Sequence, residues 1–260
     1  MSARARETER EPVVGIDIGG TKIAAGVVRL DRTVTHRVEA PTPAGSGPQA
    51  ILDVAAEVAT AAAHAARISP AAFGVGSAGA FDEHGIVVHS TAHLAGWYGT
   101  DVAGGLSRRL GSPVAVLNDV HAAALGESWV PTAPIRFLFV AVGTGIGGAI
   151  VSEGQLLRGA TGMAGSVGHI HVATRENRSC SCGGTNHVEP FASGPGMERS
   201  YADATGRTIG LREIGRLAAA DDATATRVVR AAAELLSDAL AAAVATLDPG
   251  VVIIGGGVAG

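Results

Sequence analysis

Two stretches of this 260-residue chain share one design. "VVGIDIGGTKIAAGVV" (13–28) is an apolar run, a turn of glycine, threonine and lysine, and a second apolar run. "RFLFVAVGTGIGGAIV" (136–151) repeats the pattern with a turn of glycine and threonine. Each predicts a β-hairpin. The glycines let backbone N–H groups approach an anion closely, and successive amides form an anion-binding nest. Two such hairpins predict two similar lobes facing each other across a cleft.

The rest of the chain alternates strand and helix. A loop (41–48) leads to an alanine-rich helix (51–66), then a short strand running into a glycine loop (73–82). A helix near 101–110 precedes a buried strand (113–119) and another helix (120–129). Residues 152–196 read as irregular, 209–219 and 223–246 as helices, and 248–260 as a strand entering a glycine loop. This order predicts an α/β fold. With 47% hydrophobic and 17% charged residues the chain is globular, and a net charge of -4 offers no electrostatic footprint for nucleic acid. Residues 1–11 read as a disordered tail without the apolar core of a signal peptide, and no apolar run is long enough to span a membrane. Two cysteines and no export signal point to the cytoplasm.

Several polar residues stand where such a fold places chemistry. Asp17 lies inside an apolar strand, just before Gly19, Gly20, Thr21 and Lys22, the sole lysine. A carboxylate buried there needs a partner, and a hydrated Mg2+ ion would serve; the plainer reading is a hairpin turn with a satisfied Asp. Gly143, Gly145 and Gly148 match G-x-G-x-x-G, but the turn leads into a strand and no acidic residue lies near position 168, which argues against a dinucleotide fingerprint. Gly255, Gly256 and Gly257 form a third glycine turn that would let a flat base lie on the backbone, or simply lead into a helix. Asn118 and Asp119 end a strand and precede a helix, so either serves as an N-cap. Ligands of α/β sheets also bind at such strand ends, where a carboxylate accepts a proton from an attacking hydroxyl. In "SCSCGGTNHVEP" (179–190), Cys180 and Cys182 pose three readings: a disulfide, a metal site, or a glycine loop that carries sulfur. A disulfide between them closes a very small ring in a reducing compartment and is disfavoured.

Together, "DIGGTK", "GVGSAG", "LNDVHAAALGE", "GTGIGGA", "GMAGSVGHIHV", "CSCGGTNHVE" and "ASG" resemble, in order, the motifs of the ROK family, over residues 13–260. That family comprises bacterial sugar kinases and related repressors. The resemblance implies a two-lobed actin/hexokinase-like (ribonuclease H-like) fold, with an N-terminal lobe over 12–118, a C-terminal lobe over 119–260 and an interlobe cleft. It implies an ATP-dependent kinase acting on the 6-hydroxyl of a hexose or hexose-like substrate. Asp17, Gly19, Gly20, Thr21 and Lys22 would form the first phosphate motif, and Gly143, Thr144 and Gly145 the second, with Mg2+; Gly256 and Gly257 would flank the adenosine. Asp119 would be the catalytic base. Gly79, Asn118, Ser166, His169 and Glu189 would surround the sugar. His169, Cys180, Cys182 and His187 would hold a structural Zn2+. Four N/S ligands suit tetrahedral zinc. The family also implies a homodimer.

Three departures stand out. Ser166 replaces a Glu found in the family's sugar kinases; within the implied range of glucose-type, modified or amino sugars and cyclitols, this short, neutral residue points to a sugar modified at a ring carbon or a cyclitol and disfavours a cationic amino group at that spot. His187 replaces the family's third zinc cysteine. The chain stops at Gly260, where relatives continue with a closing helix, which reads as an incomplete sequence. His93 stands where relatives often have Asn. A non-catalytic sugar-binding sensor is the alternative reading. The family's repressors carry an N-terminal DNA-binding domain, for which the residues before the first strand are too few.

Overall fold

Alternation of apolar residues builds the first sheet. Strand β1 (Val13–Ile18) buries Val14, Ile16 and Ile18 and turns Asp17 to the opposite face. The computed structural model describes residues 12–90 and 94–258. The expectations for 1–11 and for His93 lie outside the described residues. Strands β2 (Lys22–Val28) and β3 (Val34–Pro41) run antiparallel beside β1; β4 (Phe73–Ser77) and β7 (Val114–Asn118) run parallel to it. The order is β3-β2-β1-β4-β7. Strands β5 (Ala80–Phe81) and β6 (Val87–His89) form a small separate pair. Helix α1 (Pro48–Ala66) covers β1, β2 and β3, with its proline in the first turn, where the missing N–H costs nothing. Helix α2 (Val102–Leu110) packs on α1 and β7, and α3 (Asp119–Ser128) packs on β4 and β7.

A second sheet, of order β10-β9-β8-β11, combines β8 (Phe137–Val142), β9 (Ile146–Ser152) and β10 (Gln155–Leu157) with β11 (Val251–Gly255), which is parallel to β8. Its core includes Leu138, Val140, Phe191, Met197, Tyr201 and Ile214. These come from the sheet and from α4 (Glu189–Ala192), α5 (Gly194–Thr205) and α6 (Leu211–Ala219), and α7 (Ala223–Leu247) adds Val228 and Ala239.

The chain divides into two compact units. The first runs through Trp129 and takes in Ala160–Gly162; the second holds Val130–Gly159 and continues from Met163. The boundary therefore lies after α3 and not before Asp119, because α3 packs on the first sheet. Strand β3 lies in a stretch for which the sequence carried no expectation, and β10, α4 and the Gly-Pro-Gly start of α5 lie in the stretch expected to be irregular. No helix among the described residues is long and apolar enough to cross a membrane.

Candidate functional site

In the first unit, register brings the polar residues together. Ile18 pairs with Ser77, and Ser77 pairs with Asn118, across three parallel strands. Asp17, Gly79, Asn118 and Asp119 therefore gather at the carboxyl ends of β1, β4 and β7, the usual ligand side of such a sheet. Gly76, the partner of Asp17 in the ladder, faces Ala122 of α3 and the Asp119 backbone. Asp17 thus shares a face with the start of α3. Its side chain opens to solvent, correcting the expectation of a buried strand carboxylate. The surrounding protein still displaces enough water to raise its pKa, and the Asp119 carboxylate raises it further.

Asn118 caps α3. Its Oδ1 accepts from the amides of Val120 at 3.0 Å and His121 at 3.2 Å. Its Nδ2 donates to the Gly79 carbonyl at 3.0 Å and so ties down the loop after β4. Gly79 has φ +112, and a Cβ there would lie 2.7 Å from the His89 carbonyl oxygen, so the position admits only glycine. Asp119 is exposed, and its Oδ1 accepts from the Val120 amide at 2.9 Å. Cap and candidate base are thus separate residues. The first glycine turn is closed by Gly19 N–H donating to the Lys22 carbonyl at 3.0 Å, and the Thr42 hydroxyl braces the Gly19 carbonyl at 2.6 Å. Lys22 Nζ lies 3.2 Å from Glu39, with both side chains about half exposed, so the cation remains able to meet an anion.

In the second unit, Gly143 N–H donates to the Gly145 carbonyl at 2.8 Å and leaves Thr144 exposed at the tip of the turn. Val258 N–H donates to the Val142 carbonyl at 3.0 Å, which lays the third glycine turn against the end of β8. Gly256 has φ +95 there, and a Cβ would collide with the Val142 backbone. Gly257 faces open space. The Glu189 carboxylate accepts from the Ser181 hydroxyl at 2.7 Å and from the Ile146 amide at 2.9 Å. Ser166 is half-buried, and its hydroxyl donates to the Met163 carbonyl at 2.7 Å.

His169, Cys180, Cys182 and His187 converge, with no two of their ligand atoms further apart than 4.8 Å. Cys180 Sγ is 3.5 Å from His169 Nδ1, and Cys182 Sγ is 3.3 Å from His187 Nδ1. Two donors on a tetrahedral ion with bonds of ~2.0–2.3 Å lie roughly 3.3–3.8 Å apart, so the set fits a metal. Burial pushes the Cys180 thiol up to about 11, and a bound cation would displace that proton. Arg178 was missed in the sequence, which shows it only as one arginine among many. It is 4% exposed and donates to the Pro190 and Gly196 carbonyls, each at 3.2 Å, and to Ser200 Oγ at 3.0 Å. It also stacks on Phe191 at 4.7 Å. Ser181 was missed as well; its place between the cysteines was the only signal.

The model of the ROK family matches residues 13–260. An N-acetylmannosamine kinase of Shigella boydii serotype 18 is 36% identical over 249 residues, covering 94% of this chain and 82% of that protein. Among solved structures, a ROK hexokinase from Thermus thermophilus has 37% identity and a TM-score of 0.82, covering 95% of this chain and 82% of that one. A ROK family glucokinase from Streptomyces griseus, in complex with glucose and AMPPNP, has 30% identity and a TM-score of 0.81 over 95% of this chain and 83% of that one. The α/β architecture is that of the actin/hexokinase-like fold, and the chain belongs to the ROK family.

Proposed function

We propose that this protein transfers the γ-phosphoryl group of ATP to the 6-hydroxyl of a hexose carrying a neutral substituent on the ring, such as an N-acetyl group. The broader statement is secure: the chain is an ATP-dependent sugar kinase, like the relatives it matches over most of its length. The observation that carries the finer reading is the exposed Asp119 carboxylate beside the Asn118–Gly79 clasp.

Asp119 accepts the proton of the hydroxyl as its oxygen bonds to the γ-phosphorus, and the bond to the ADP oxygen breaks. The glycine turns at 19–22 and 143–145 contribute positioning and amide dipoles. Mg2+ held through Asp17 would supply further charge neutralisation. His169 and Glu189 receive sugar hydroxyls, and Gly256 and Gly257 flank the adenosine. Ser166 donates its hydroxyl to the Met163 carbonyl and brings no charge to the sugar, which suits a neutral substituent better than a cationic amine. The relatives named as N-acetylmannosamine kinases support this choice.

Zn2+ is the ion expected in the Cys/His cluster, because two thiolates and two imidazoles match its softness and geometry. A cytoplasmic location keeps those thiols reduced, and a homodimer is the expected assembly. The test is an ATP-consumption panel with glucose, mannose, N-acetylglucosamine, N-acetylmannosamine, amino sugars and cyclitols, with phosphorus NMR locating the new ester. N-acetylhexosamine turnover with phosphate on O6 is expected. Turnover of unmodified glucose alone would overturn the substrate reading, and sugar binding without ATP consumption would favour a sensor.

A further inference from the structure

Glu189 connects the Cys/His cluster to the second glycine turn. One of its carboxylate oxygens accepts from the hydroxyl of Ser181, which lies between Cys180 and Cys182, at 2.7 Å. The other accepts at 2.9 Å from the amide of Ile146, the residue just after the turn. The Glu189 backbone reaches the other end of the same turn. Its carbonyl accepts from Ser193 N–H at 3.1 Å, and the adjoining Gly194 N–H donates to the Gly143 carbonyl at 2.9 Å. Gly145 carries no side chain where a Cβ would lie 2.7 Å from the Glu189 carboxylate. Gly168, immediately before His169, packs so tightly on the Ile146 carbonyl that a Cβ there would overlap it. The turn is therefore held at Gly143 and Ile146 by the two segments whose His and Cys side chains converge in the cluster.

We propose that the cluster, when it holds its metal, positions the phosphate-binding turn of the second unit through Glu189. This rests on the reading of that turn as a nucleotide site and of the cluster as a zinc site. The Ile146 amide is occupied by the carboxylate and the Gly143 amide by the Gly145 carbonyl, so Glu189 shapes the turn, while Thr144 and Gly145 remain to meet the phosphates. Without the metal the glycine-rich segment carrying Ser181 gains conformational freedom. Nucleotide binding must then order the turn as well as fill it, and affinity falls. Ser181 and Glu189 act here as positioning residues, whatever Glu189 does for the sugar.

The test is calorimetric binding of AMPPNP with Mg2+, without sugar, to the full chain. Wild type, Glu189→Ala, Glu189→Gln and Ser181→Ala are compared, each zinc-loaded and chelator-stripped, with zinc content measured alongside. Stripping should weaken wild-type binding by about ten-fold, the scale of one hydrogen bond to a charged group. Zinc-loaded Glu189→Ala should already show that loss, and stripping it should add less than about two-fold, because coupled changes do not add. Glu189→Gln keeps an acceptor for the Ile146 amide and should restore most of the affinity. Ser181→Ala should bind wild-type zinc and still lose part of the affinity. A stripping effect below two-fold, or effects of stripping and Glu189→Ala that multiply, would overturn the proposal. If stripping unfolds the chain, the zinc-loaded variants decide, and unchanged affinity in Glu189→Ala overturns it. Loaded wild type that binds no nucleotide would sink the nucleotide reading and this proposal together; intact binding without zinc dependence sinks the proposal alone.

Discussion

Asp119 follows Asn118, which shares a ladder row with Ser77 and Ile18, and that place suits the proposed base. Asp119→Asn keeps the side-chain shape and removes the proton acceptor. We expect kcat to fall by ~10²–10⁴-fold with sugar affinity nearly unchanged, measured by steady-state kinetics and sugar titration. Asp17 behaves differently. Its pKa is raised by desolvation and then by Asp119, so the folded state binds this proton more readily than the unfolded chain. Its contribution to stability is therefore present in acid, is lost as pH rises from the ordinary aspartate value through the raised one of the folded state, and stays lost above it. Asp17→Asn should leave the melting temperature at pH 7 unchanged or higher while ATP turnover collapses. A clear drop in melting temperature would contradict the sign. At position 166, Ser166→Glu restores a charged acceptor and should shift kcat/KM from N-acetylated towards unmodified hexoses.

At the scale of elements, hairpins and long helices were legible because their periodicity is local. Strand β3 was not, because this edge strand has no buried residue, half of its residues are polar, and it lacks a long run of apolar ones. Helix α5 was masked by Gly194-Pro195-Gly196, although Ser193 as N-cap and proline in the first turn signal a helix start. Arg178 then fastens this start to the Cys/His segment by meeting the Pro190 and Gly196 carbonyls. Arg178→Met retains much of the stem volume and removes those bonds; the Gly196 carbonyl keeps the Ser200 hydroxyl as a donor, while the Pro190 carbonyl loses the guanidinium. We expect it to destabilise the protein by about 3 kcal/mol in urea unfolding, since buried partners lose charge-assisted bonds. The neighbouring carboxylates, Glu176 and Asp203, are exposed and rehydrate, so they add little to that cost.

At the scale of the whole molecule, each unit has its own sheet and its own core. All four candidate zinc ligands lie in the second unit. Chelation should therefore lower the melting temperature of one calorimetric component and leave the component carrying Asp17 and Asp119 in place. A uniform downward shift of a single transition would show that the units unfold as one. The sequence by itself determined the α/β class, the glycine turns, the family and the four residues of the Cys/His cluster, because each is written in local spacing or in the order of motifs. The tertiary structure alone decided that Asp17 faces outward, that Asn118 is the cap while Asp119 stays exposed, and that Glu189 joins the Cys/His loop to the glycine turn. Those facts depend on strand register and on contacts between residues far apart in the chain, such as Ile146 with Glu189, which no local pattern encodes.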